Sequence, residues 1–167
     1  MVGRSFLSLL KLQACVLACV FLLATAAEPP LEFVTLEGKT EKLELREQDA
    51  ALVVHFWATW CPDCAREWSH LARAAERCAE TGVRILAVNV GESREVVEKF
   101  LREQEVQLPT FRDPAGEVWR RLSGRGLPLH YTWTHQGRTL ELGPRTTAAW
   151  EEDLRRWGCE KPALLEP

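Results

Sequence analysis

The chain has 167 residues, 46% of them hydrophobic, with 24 acidic and 21 basic side chains and a formal net charge of −3. That length suits one domain with a substantial core. The interspersed charges, with no basic block, argue against nucleic acid as a partner.

Residues 1–27 carry Arg4 and Lys11, followed by an uncharged apolar run from Ala14 to Ala27. The run is shorter than the ~20 residues of a membrane span. It ends in Ala24-Thr25-Ala26-Ala27, the small-residue pattern of a cleavable secretory leader. Retention as an N-terminal membrane anchor is the alternative, with Lys11 snorkelling to the interface. Either way, residues 28–167 are expected as one exported domain, in the periplasm or on the outer face of the cytoplasmic membrane. All 24 acidic residues fall there against 19 basic ones, a net charge of −5. Four cysteines, Cys61, Cys64, Cys78 and Cys159, then meet an oxidising compartment in which disulfides persist.

Leu31–Leu36 and Lys42–Leu45 flank Glu37-Gly38-Lys39 and predict a β-hairpin. Ala51–Trp57 (ALVVHFW) is almost continuously apolar, the pattern of a strand buried on both faces. Pro62 to about Glu80 predicts a helix stopped by Gly82, and Arg84–Val90 the next strand. Ser93 caps a helix to about Glu105 whose inner face carries Val96, Val97, Phe100 and Leu101. A short helix over Ala115–Leu122 precedes a Gly-rich break, and Leu129–Thr134 with Arg138–Leu142 predicts an antiparallel hairpin. Thr146 or Thr147 caps a last helix to about Trp157, ended by Gly158. The order implies an α/β fold: a mixed central β-sheet, partly parallel through a right-handed crossover, flanked by helices.

The chemistry concentrates at Cys61-Pro62-Asp63-Cys64, where the buried strand turns into a helix. The first turn of a helix has free N–H groups and the positive end of the dipole, both favouring a thiolate. Such placement lowers a thiol pKa from ~8.5 into the ~3.5–7.5 range. Cys61 is therefore the expected nucleophile, and Cys64, one turn further in, the resolving thiol. Pro62 is tolerated because the first turn has no intrahelical N–H bond to lose. A zinc site needs a second ligand pair at short spacing, which is missing, so no metal and no cofactor are expected. A purely structural bridge over so short a loop would restrain the unfolded chain little.

The segment Val53-Val54-His55-Phe56-Trp57-Ala58-Thr59-Trp60-Cys61-Pro62-Asp63-Cys64-Ala65-Arg66-Glu67 resembles the active-site region of the TlpA/ResA-like thioredoxins. These are exported or membrane-anchored thiol–disulfide oxidoreductases that include cytochrome c maturation enzymes. The resemblance extends over roughly residues 31–157 and implies a thioredoxin-like fold with an N-terminal β-hairpin and an inserted helix. It implies a cis peptide at Leu127–Pro128 facing the cysteines, where a substrate's extended chain would pair. Trp60 would flank the cysteines as an apolar contact surface, and the remaining tryptophans are expected to pack in or near the core. In a thioredoxin-like fold the first and last long helices run side by side. A second disulfide, Cys78–Cys159, or two separate thiols would then follow.

The sequence also departs from that family. His55 stands where an Asp or Asn is usual; it either relays the proton of Cys64, titrating in the useful range, or is a neutral core histidine. Under the first reading, His55→Asn shifts the pH dependence of reduction. Glu67 matches the family's acidic position on the helix and either modulates the thiols or is a solvated charge. Ser69 replaces a proline, Leu129 and His130 replace the threonines after the cis-proline, which alters the expected substrate groove, and Asp63 adds a negative charge between the thiols.

The resemblance implies a monomeric dithiol reductase of disulfides in exported proteins, cytochrome c maturation among the settings, drawing electrons from a membrane thiol-transport protein. The alternatives are a disulfide oxidase or isomerase, or a copper-binding assembly factor for a respiratory oxidase, with His130 the nearest candidate for the downstream ligand. A peroxidase of the same fold would need a Thr-x-x-Cys centre, which is missing.

Overall fold

The computed structural model describes residues 31–105 and 107–159; the expected leader lies outside them. The first hairpin pairs β1 (Leu31–Val34) antiparallel with β2 (Thr40–Leu43), Leu31 opposite Leu43. The apolar run becomes β3 (Ala51–Trp57), buried at every position. Successive side chains of a strand point to opposite faces. Ala51, Val53 and Trp57 accordingly enter one core, and Leu52, Val54 and Phe56 the other.

Helix α1 (Pro62–Arg77) crosses from β3 to β4 (Val83–Val90), which runs parallel to β3 with Val54 opposite Leu86. The helix stops three residues short of the expected end, with Cys78 as its cap. Gly82 is fixed by two constraints at once. Its φ is 76°, and a Cβ there would stand 2.7 Å from the carbonyl oxygen of Gln48.

Helix α2 (Arg94–Arg102) starts at Ser93, whose side chain accepts the N–H of Val96. Val97 and Leu101 are buried and Phe100 is half-buried, but Val96 is 43% exposed and not on the inner face as expected. One residue before Val97, it is turned about 100° off the buried stripe.

The sequence pattern missed the next strand, β5 (Thr110–Asp113). Thr-Phe-Arg-Asp lies between Pro109 and Pro114 and alternates no apolar residues. Its neighbours make it a strand: β4 on one side, parallel, and β1 on the other, antiparallel. Through β5 the N-terminal hairpin joins the main sheet. The short α3 (Glu117–Arg121) begins under the Asp113 carboxylate, which accepts the N–H groups of Glu117 at 2.9 Å and Trp119 at 2.8 Å.

β6 (Leu129–Thr134) pairs antiparallel with β3, and β7 (Gly137–Leu142) antiparallel with β6. Helix α4 (Thr147–Arg156) is capped by Thr146, whose hydroxyl accepts the N–H of Ala149 at 3.2 Å. The sheet therefore has seven strands in the order β2-β1-β5-β4-β3-β6-β7.

Helices α1, α2 and α4 pack on one face through Leu71, Val97, Leu101, Trp150 and Leu154. Trp57, Trp68 and Phe100 meet there at centroid distances of 4.6–5.3 Å. The other face is covered by Val118 of α3 and the hairpin residues Leu31, Phe33 and Leu43. Trp68 and Trp150 are buried, and Trp119, Trp133 and Trp157 half-buried, as expected for packing residues. Among the described residues, no helix is long and apolar enough to cross a membrane.

Candidate active site

β3 ends at Trp57, and the chain turns through Ala58, Thr59 and Trp60 before Cys61 caps α1. Cys61 is extended, with φ −92° and ψ 102°, and its sulfur accepts the N–H of Cys64 at 3.2 Å. A donor aimed at that sulfur is what a thiolate would gain on reduction. The two sulfurs are bonded to each other, with Cα atoms 5.3 Å apart. Pro62 occupies the first helical turn as expected, and Asp63 pairs with Arg66 one turn on. Trp60 is 68% exposed beside the pair, an apolar surface open to a partner chain.

The turn is held by a residue that the sequence motif did not reveal. Glu92, in the loop after β4, accepts the Thr59 N–H at 2.7 Å and the Thr59 hydroxyl at 2.6 Å. Asn89 donates to the same carboxylate at 2.6 Å. The only trace in the sequence was a Glu closely following a predicted strand.

The Leu127–Pro128 peptide is cis, as the resemblance implied. The Pro128 carbonyl accepts the Gly143 N–H at 2.8 Å, tying this loop to the end of β7. Leu127 packs against the core that contains Cys61 and Cys64. Leu129 and His130, expected to reshape the substrate groove, do not reach the surface. Leu129 is buried with Phe56 in the opposite core, and His130 is 1% exposed beneath the sheet's α1 face. Both belong to a strand paired on either side, so their side chains point into the packed layers.

His55 and His130 are direct cross-strand partners, with ring centroids 4.9 Å apart. Glu67, one turn after Cys64 on α1, is also buried and not a solvated charge. Its Oε1 accepts the backbone N–H of Arg145 at 2.6 Å, and its Oε2 lies 3.3 Å from His130 Nε2. Burial, together with the neighbouring His130, holds the His55 imidazole well below the usual histidine range. That direction favours the neutral form expected of a buried core histidine.

At the far end of α1, Cys78 is bonded to Cys159 just beyond α4, with Cα atoms 4.8 Å apart. Both sulfurs are fully buried. The two helices run the same way on one face, which brings their ends together.

The AhpC/TSA family model matches residues 26–137. The thiol–disulfide oxidoreductase ResA of Bacillus thuringiensis subsp. konkukian is 29% identical over 133 residues, covering 77% of this chain and 76% of that protein. ResA of Halalkalibacterium halodurans is 34% identical over 121 residues, covering 72% and 69%. Among solved structures, StoA from Bacillus subtilis aligns with a TM-score of 0.62 at 23% identity, over 80% of this chain and 98% of that one. That structural likeness speaks for the fold.

Proposed function

The chain belongs to the AhpC/TSA family, as a thioredoxin-like thiol–disulfide oxidoreductase of the ResA kind, and from that premise we propose that it reduces disulfides in exported proteins. The observation that carries the reading is Cys61 at the start of α1, bonded to Cys64 and backed by the Cys64 N–H, with exposed Trp60 alongside. In the reduced enzyme the Cys61 thiolate attacks a client disulfide, forming a mixed disulfide and expelling the client's other thiolate. Cys64 then attacks Cys61, releasing the second client thiol and closing the Cys61–Cys64 bond. Two electrons pass to the client, and the enzyme is left oxidised.

The client chain lies along the cis Leu127–Pro128 loop, pairing with it by strand addition. The apolar leader supports export to the periplasm or the outer membrane face. A membrane thiol-transport protein supplies the electrons there, and cytochrome c maturation is one setting for such a reductase. Measuring the reduction potential of the Cys61–Cys64 pair, alongside insulin reduction, tests the direction. A value near ~−270 mV or lower supports a reductase, and one near ~−120 mV makes the protein an oxidase instead.

A further inference from the structure

Three buried side chains, from β3, β6 and α1, form a cluster that the exchange steps at Cys61 and Cys64 do not use. His55 on β3, His130 on β6 and Glu67 on α1 each offer one ligand atom, and these atoms all lie within 4.8 Å of one another. The residues are 0%, 1% and 5% exposed. Neither nitrogen of His55 has a hydrogen-bond partner, nor has His130 Nδ1. His130 Nε2 approaches Glu67 Oε2 at 3.3 Å without the alignment of a hydrogen bond.

Buried polar groups are ordinarily paired, and leaving one orphaned costs about 1–3 kcal/mol. The charge is also unbalanced. Glu67 receives only the backbone N–H of Arg145, whose guanidinium is committed to Asp153 at 2.6 Å and Glu141 at 2.9 Å. The carboxylate thus faces two imidazoles, one of which burial keeps neutral.

We propose that His55, His130 and Glu67 form a binding site for one divalent cation of the zinc class. Two imidazoles and a carboxylate are a known zinc donor set. They contain no thiolate, which sets them apart from a Cu(I) site. With metal–ligand bonds of ~2.0–2.1 Å, a tetrahedral site has ligand–ligand edges of about 3.3 Å. The Glu67–His130 edge already has that length, at 3.3 Å. The widest edge, at most 4.8 Å, must shorten by at most about 1.5 Å, a movement within reach of imidazole rotation.

The ion would neutralise the carboxylate and give each histidine a partner. Because the ligands come from two strands and a helix, and lie inside the core, the ion enters as the chain folds.

The test uses the full chain with both disulfides intact and Cys15 and Cys19 alkylated, so no thiol can hold metal. The chain is unfolded in denaturant without reductant, refolded with zinc or with cobalt as its spectroscopic substitute, and separated from free ion by gel filtration. The expected result is one ion per chain, visible absorption of tetrahedral cobalt with nitrogen and oxygen ligands, and a higher Tm than the metal-free protein. Glu67→Gln keeps an oxygen for the Arg145 N–H and should weaken binding at least tenfold, while abolishing the Tm rise. His130→Asn provides a second variant. No ion retained by the wild-type chain, or equal retention by both variants, overturns the proposal, and neither result bears on insulin reduction by Cys61 and Cys64.

Discussion

Glu92 grips Thr59 twice, taking its backbone N–H at 2.7 Å and its hydroxyl at 2.6 Å. The effect is to clamp the turn leading into Cys61 from a loop residue 33 positions beyond Thr59. Charge-assisted hydrogen bonds contribute about 1.5–3 kcal/mol each, and a reacting atom displaced by ~1 Å can lose ~10²-fold in rate. Glu92→Ala is therefore expected to lower the rate of insulin reduction about tenfold with the fold retained. Stopped-flow reduction, checked against near-UV circular dichroism, measures this. An unaltered rate would show that the turn holds its shape without the clamp.

Trp60 is 68% exposed beside a disulfide whose own residues are almost fully buried. In the proposed function a client protein would rest on that ring, whereas a small disulfide need not. Trp60→Ala should raise KM for a protein substrate by roughly 5–30-fold, equivalent to about 1–2 kcal/mol of contact. Turnover of a small aromatic disulfide should change little. Equal losses on both substrates would place Trp60 in the chemistry and not in docking.

Asp49 gathers three donors on one oxygen: the Arg46 N–H at 2.9 Å and two guanidinium nitrogens of Arg84 at 2.9 and 2.7 Å. Burial pushes its pKa up, but the Arg46 N–H and the Arg84 guanidinium outweigh that, and the net shift is downward. A folded-state pKa below the unfolded ~3.9 means stability that is present above that value and lost as pH falls through the folded one. Asp49→Asn should cost about 1–3 kcal/mol at pH 7, with the difference from wild type shrinking below pH ~4. Urea unfolding across that range tests it, and a penalty independent of pH would remove the carboxylate from the explanation.

The Cys78–Cys159 bridge spans a sequence separation of 81. In the chain-entropy account, a loop of that size contributes roughly 4.5 kcal/mol by restraining the unfolded chain. The double variant Cys78→Ala/Cys159→Ala should lose most of that in a urea titration. The reduction potential of Cys61–Cys64 should stay within ~30 mV, a twofold-electron shift of about 1.4 kcal/mol. Alkylation of the untreated protein without reductant should leave both residues unmodified.

The parts of the site carried by local pattern were readable from the chain. Cys61-Pro62-Asp63-Cys64 sits between an apolar strand and a helix start, and both neighbours show in residue type alone. Pro128 and the Cys78–Cys159 pair followed once that motif suggested a fold. β5 was not readable, because Thr110–Asp113 takes its strand character from β1 and β4. Glu92 was hidden for a related reason, since nothing in a loop sequence says which distant turn it will hold. His55, Glu67 and His130 each stand out singly in the sequence. Their meeting depends on the β3–β6 register that sets His55 opposite His130, and on Glu67 facing inward one turn beyond Cys64.

The burial of Cys78 and Cys159 has a consequence for stoichiometry. The described residues hold four oxidised sulfurs, and of their two bridges only Cys61–Cys64 has a residue that reaches the surface, Cys61 at 3%, whereas Cys78 and Cys159 are both at 0%. Exchange requires the attacking sulfur to reach its target. Under the proposed reductase function the protein would thus be a one-pair carrier: each visit by a donor would load two electrons, each client would remove two, and the second bridge would stay out of the traffic.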